Sequence, residues 1–154
     1  MSIPDVKIVQ LAPMRVASAL GFGESPEEEA WETILAFAEA RNLLAGPEIR
    51  RFFGFNNPSP AVGSPNYGYE QWMTVGPKVT GDERVEIKAF AGGLYAVTRC
   101  LGIPAIGETW RRLALWREDS PYRPAHHQWL EEALTPPRTP VEDMVLDLYL
   151  PVAG

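Results

Sequence analysis

A carboxylate two positions from a tryptophan on one strand face has chemical consequences, and Tyr67–Val75 (YGYEQWMTV) contains that pair. Aromatic and β-branched residues after a Gly/Pro/Ser/Asn-rich run predict a strand here. Alternation then puts Glu70 and Trp72 on one face with Gly68 and Thr74, and Tyr67, Tyr69, Gln71, Met73 and Val75 on the other. An aromatic face attracts cations through its quadrupole and buries planar molecules over a large area. A carboxylate beside it either pairs a ligand cation or, stripped of water, holds its proton more tightly. In that second state it serves as a general acid or base near neutrality. The C-terminal stretch Met144–Val152 (MVLDLYLPV) repeats the pair, with Asp147 on Glu70 and Tyr149 on Trp72. Further acids lie in His126–Leu134 (HHQWLEEAL). If extended, Trp129, Glu131 and Ala133 share one face and Leu130, Glu132 and Leu134 the other, and periodicity alone leaves open which glutamate turns inward.

The elements that must position these residues recur along the chain. Shifting the second half back by 79 brings Val85 onto Val6, Ile87 onto Ile8, Ala96 onto Ala17 and Trp110 onto Trp31, and a shift of 77 superposes the closing strands. A near-constant offset through strand, helix and strand predicts a duplication, with modules at about 1–76 and 77–154 of a single domain. Strands are expected at Val6–Leu11, Val16–Leu20, within Ile49–Phe55, at Tyr67–Val75, Val85–Phe90 and Leu94–Thr98, with Gly21-Phe22-Gly23 as a loop. Ser25-Pro26-Glu27-Glu28 reads as a helix start with a capping box, and Trp31, Ile34, Leu35 and Ala38 form its apolar stripe. A second helix spans about Ile106–Asp119. The unbroken apolar row Met144, Leu146, Leu148, Leu150 and Val152 should pack on that helix, leaving Asp147 and Tyr149, and by the repeat Glu70 and Trp72, on the open face. The expected fold is α+β: a pseudo-twofold tandem of strand–helix–strand–strand modules whose antiparallel sheets form a central ligand groove.

Composition narrows the function. The net charge of −6 and the absence of a Lys/Arg cluster argue against nucleic acid as a direct partner, because phosphate binding needs a basic face. No stretch is apolar enough to span a bilayer, and the N-terminus lacks a signal-peptide pattern, so a cytoplasmic protein is expected. The single cysteine, Cys100, reads as an inert thiol, and the adjacent His126 and His127 would point opposite ways on a strand. Neither a metal nor a cofactor is expected.

Taken in order, VKIVQLAPMRVA, AWETILAFAE, RFFGFNNP, YGYEQWMTV, GGLYAVTR, TWRRLALW, WLEEAL and LDLYLPV span almost the whole chain. Together they resemble the GyrI-like small-molecule-binding family, the effector-binding domain also found at the C-termini of some AraC-type and MerR-type regulators. The resemblance implies the same tandem fold, a glutamate at the base of an aromatic-walled groove falling on Glu131, and a last-strand tyrosine falling on Tyr149. Where the family often has an aromatic, this chain has Ala133, so that wall is either open or supplied by Trp129 or Phe55. The expected ligand-contacting set is therefore Glu70, Trp72, Phe53, Phe55, Trp129, Glu131, Asp147 and Tyr149. The function implied is a stand-alone binder of flat hydrophobic molecules, cations among them. The alternative is a hydrolase of cyclopropane-bearing DNA-alkylating toxins in which Glu131 activates water. A third reading is an inhibitory role against a macromolecule such as a topoisomerase.

Overall fold

The computed structural model describes residues 5–46 and 49–154. In chain order the elements are β1 (Val6–Leu11), β2 (Met14–Gly23), α1 (Pro26–Ala40), β3 (Phe52–Asn56), β4 (Tyr67–Thr74), β5 (Val85–Phe90), β6 (Gly93–Leu101), α2 (Ile106–Glu118), β7 (Arg123–Pro124), β8 (Leu130–Ala133) and β9 (Val145–Ala153). The strand pairings are antiparallel, and the protein is α+β as expected. The chain forms two compact units, one of Met14–Phe90 and the other of Ala91–Gly154 with the N-terminal segment up to Pro13.

In the Met14–Phe90 unit the strand order is β3-β4-β2-β5. Ala17, Ala19 and Gly21 of β2 pair with Met73, Gln71 and Tyr69 of β4, and this row lies under α1. Small residues are required there: a Cβ on Gly21 would sit 2.2 Å from the Pro26 carbonyl oxygen. Gly21-Phe22-Gly23 is accordingly strand rather than loop, its glycine admitting a helix instead of a turn. Helix α1 begins with Pro26 at its first position, while Ser25 makes no side-chain cap, so the expected capping box does not form. Its buried face is Ala30, Ile34, Leu35, Phe37 and Ala38, and Trp31 packs on Phe52 with ring centroids 5.3 Å apart.

The other unit has the order β1-β6-β9-β8, with β7 paired to the end of β9. Leu146, Leu148, Leu150 and Val152 cluster with Ala96, Cys100 and Leu113, and Trp110 and Trp116 pack against them. The apolar row of β9 therefore faces α2, as its alternation predicts. Val16 of β2 stands opposite Thr74 of β4, and Tyr95 of β6 opposite Pro151 of β9. Strand β1 pairs with the distant β6, and β5 with β2.

Candidate functional site

Strand β4 delivers Glu70 and Trp72 to one face, and the register adds Ser18 opposite Trp72, Phe53 opposite Trp72 and Phe55 opposite Glu70. The Glu70 carboxylate is buried, at 3 % exposure. Ser18 Oγ (2.7 Å), Trp72 Nε1 (2.6 Å) and Lys88 Nζ (2.8 Å) donate to its Oε2, and Asn57 Nδ2 (3.0 Å) donates to Oε1. Burial alone would raise its pKa, but the donors Lys88, Trp72, Ser18 and Asn57 together outweigh it and hold the carboxyl below the ordinary range. Glu70 is thus a fixed anion and a poor proton acceptor. Trp72 meets Phe55 edge-on at 5.0 Å and Phe90 at 5.2 Å, which gives a ladder of three rings beside the carboxylate. The Arg51 guanidinium lies 4.9 Å from the Phe53 ring centroid.

Around Glu70 opens a cleft of about 520 Å³, lined also by Ser18, Leu20, Asn57 and Lys88 and by the segment from Gly81 to Ile87. Leu20, 55 % exposed, supplies an apolar wall. Asp82 is fixed at the rim by the backbone amides of Arg84 (2.8 Å) and Val85 (2.9 Å), which keep its pKa low with help from Arg41.

In the other unit, Tyr149 lies on the face of β9 turned away from α2, opposite Val97 and Leu130. Its hydroxyl donates to Glu132 Oε1 at 2.6 Å, and both residues are buried. Tyr95 packs edge-on to Tyr149 at 5.4 Å, and burial pushes its phenol well above the usual range. Asp147, on the same face, accepts from Arg99 at 3.0 Å.

Glu131 and Trp129 lie elsewhere. Leu130 pairs with Tyr149 and Glu131 with Leu148, so alternation sends Glu131 to the helix side, where Trp110 Nε1 donates to it at 3.1 Å. Trp129 packs on the Trp110 ring at 5.2 Å. The placement expected for these two, beside Tyr149, is corrected: the acid on the Tyr149 face is Glu132. The sequence reading also passes over Ser18, Asn57 and Lys88. Ser18 is a polar residue in the otherwise apolar VASAL, while Asn57 and Lys88 sit among other polar residues, and each gains meaning only once the fold sets it beside Glu70.

Cys100 is buried, its thiol donates to the Gly102 carbonyl at 3.3 Å, and burial raises its pKa. Among the described residues no group of three or more His, Cys, Asp or Glu side chains could hold a metal ion, and no helix is long and apolar enough to cross a membrane.

The profile of the family described as integron-associated effector binding protein matches residues 7–152, and the chain belongs to that family. No curated protein sequence matches it. Among solved structures, the chain is similar to the EcmrR C-terminal domain, with 11% identity, 99% of each chain covered and a TM-score of 0.72. It is similar to a hydrolase from Listeria innocua, with 14% identity, 99% of this chain and 94% of that one covered and a TM-score of 0.71. SAV2435 bound to tetraphenylphosphonium is a further neighbour, with 13% identity, 97% and 94% covered and a TM-score of 0.58. At these identities the likeness is one of fold, and it agrees with the effector-binding relationship expected from the sequence.

Proposed function

We propose that this member of the effector-binding family takes up flat, hydrophobic small molecules, cations among them, in the cleft over Glu70. One observation carries the reading: a buried, ionised carboxylate stands at the floor of a cleft of about 520 Å³, beside the ring ladder of Phe55, Trp72 and Phe90. The volume lies within the roughly 300–1,000 Å³ usual for small-molecule sites, and the largely polar and charged lining, with Leu20, Val85 and Ile87 as its apolar part, suits a charged ligand. Ring faces and a nearby carboxylate both favour a cation. The neighbour bound to tetraphenylphosphonium, a lipophilic cation, supports that ligand class. Phe53 backs Trp72 from the adjacent strand, and the Tyr149–Glu132 pair with Asp147 gives the other unit a ligand-contacting face of like chemistry. Calorimetric titration with tetraphenylphosphonium and with a flat cationic dye tests the proposal. Trp72→Ala should weaken binding of the flat dye by about tenfold or more, since loss of a stacking ring costs roughly 1–3 kcal/mol. Unchanged affinity sinks the assignment.

A second reading, hydrolysis of cyclopropane-bearing alkylating molecules, draws support from the Listeria innocua neighbour called a hydrolase and from the buried Glu132–Tyr149 pair. Water would add its hydroxyl to the opened ring carbon, its proton passing through a carboxylate to the departing electron pair. Glu132 is the better placed base here, because Glu131 points to α2 and Glu70 is held ionised by four donors. Ring opening followed by chromatography, with Glu132→Gln and Glu131→Gln compared, separates turnover from capture.

A further inference from the structure

We propose that Lys88 is a resident counter-ion of the cleft, displaced by cationic ligands, and that its displacement sets the choice between charged and neutral molecules. The inference rests on the cleft being the ligand site. Lys88 stands on β5 opposite Val16, and its Nζ lies 2.8 Å from Glu70 Oε2 and 3.8 Å from Glu86 Oε2. The three side chains differ sharply in exposure: 4 % for Glu70, 37 % for Lys88 and 72 % for Glu86. Lys88 therefore bridges a buried acid and a solvent-facing one two positions away along the same strand. Swinging its four-carbon stem toward Glu86 keeps the ammonium compensated and in water while freeing the inner oxygen.

The remaining charges around the cleft favour that exchange. Its lining carries the carboxylates of Glu70, Asp82, Glu83 and Glu86 against the cations of Arg84 and Lys88. Arg84 is turned toward Thr33 Oγ1 at 3.3 Å, leaving Lys88 as the lining cation in contact with Glu70. A flat cation competes with Lys88 for Glu70 Oε2, so its apparent affinity is reduced by the fraction of molecules in which Lys88 has moved aside. A neutral flat molecule uses the apolar part of the lining, Leu20, Val85 and Ile87, and displaces nothing.

The experiment is calorimetric titration of the full chain, in mildly alkaline buffer, with N-methylacridinium and with acridine, which share a ring frame and differ in charge. Lys88→Met should tighten N-methylacridinium by about tenfold and leave acridine within about twofold. Glu86→Gln, an exposed change that leaves the fold intact, should weaken the cation in the Lys88 background by removing the alternative partner. It should do so far less in the Lys88→Met background, and the Glu86→Gln comparison decides the matter if Lys88→Met fails to fold. Unchanged or weaker cation binding in Lys88→Met, with acridine still bound, overturns the displacement and leaves the cleft standing. Failure of both compounds to bind the wild type and the variants overturns the cleft and Lys88 together.

Discussion

Replacing Glu70 by glutamine removes one charge from a site where three donors converge on one oxygen. Ser18, Trp72 and Lys88 reach Oε2 at 2.7, 2.6 and 2.8 Å, and an amide oxygen offers each of them a weaker acceptor. The amide nitrogen would face Asn57 Nδ2, now 3.0 Å from Oε1, and Asn57 can turn its own oxygen toward it. A hydrogen bond to a charged group contributes roughly 1.5–3 kcal/mol and a neutral one about 1 kcal/mol. With Lys88 discounted for its 37 % exposure, the expected loss is about 2–4 kcal/mol. The sign of the pH dependence follows from the lowered pKa. The folded-state value lies below the ordinary 4.5, so the carboxylate's contribution is complete above that value and is lost as pH falls through the folded-state pKa. Urea unfolding of wild type and Glu70→Gln, followed across pH by tryptophan fluorescence, should show a gap at neutrality that narrows in acid. Equal stabilities at neutral pH, or a gap that stays constant on acidification, would refute the reasoning, the second because a packing defect ignores protonation.

Leu113→Ala empties a fully buried position under the β9 row and should cost about 2–5 kcal/mol in the same urea assay. Gly21→Ala drives a methyl against the Pro26 carbonyl, and overpacking of this kind should lower stability by about 1–3 kcal/mol, visible as a lower unfolding midpoint. Tyr149→Phe removes the hydroxyl that donates to Glu132 Oε1. It should destabilise by about 1–3 kcal/mol, with a ring of nearly the same shape left in place as the control for packing.

The local pattern carries much of this fold. VKIVQL and VEIKAF are strands within the expected limits, and the row of β9 that faces α2 follows from alternation. The pairing of β1 with β6 and of β5 with β2 is hidden for a physical reason. The two segments have matching propensity and matching offset, and Val6 opposite Thr98 has the same register sense as Ala19 opposite Val85, so nothing local ranks the possible partners. At the site, Glu70 and Trp72 share a face because they are two residues apart, but Ser18 and Lys88 reach them only through pairings distant in sequence. Glu131 and Glu132 are separated by the register of β8 on β9. The Pro-rich segment between those strands obscures that register, and a shift of one residue would reverse the assignment.

The pairing of β1 with the distant β6 imposes an order on synthesis. Met14–Phe90 is one contiguous run that holds strands β2 to β5, so these strands are all made soon after Phe90 leaves the ribosome. Val6–Leu11 is made first, yet its partner strand begins at Gly93. At about 5–20 residues per second, the roughly 80 intervening residues leave that strand waiting for about 4–16 s. During that interval an unpaired strand edge is exposed to other nascent chains. Lys7, the second residue of the strand, supplies the kind of charge that discourages such pairing.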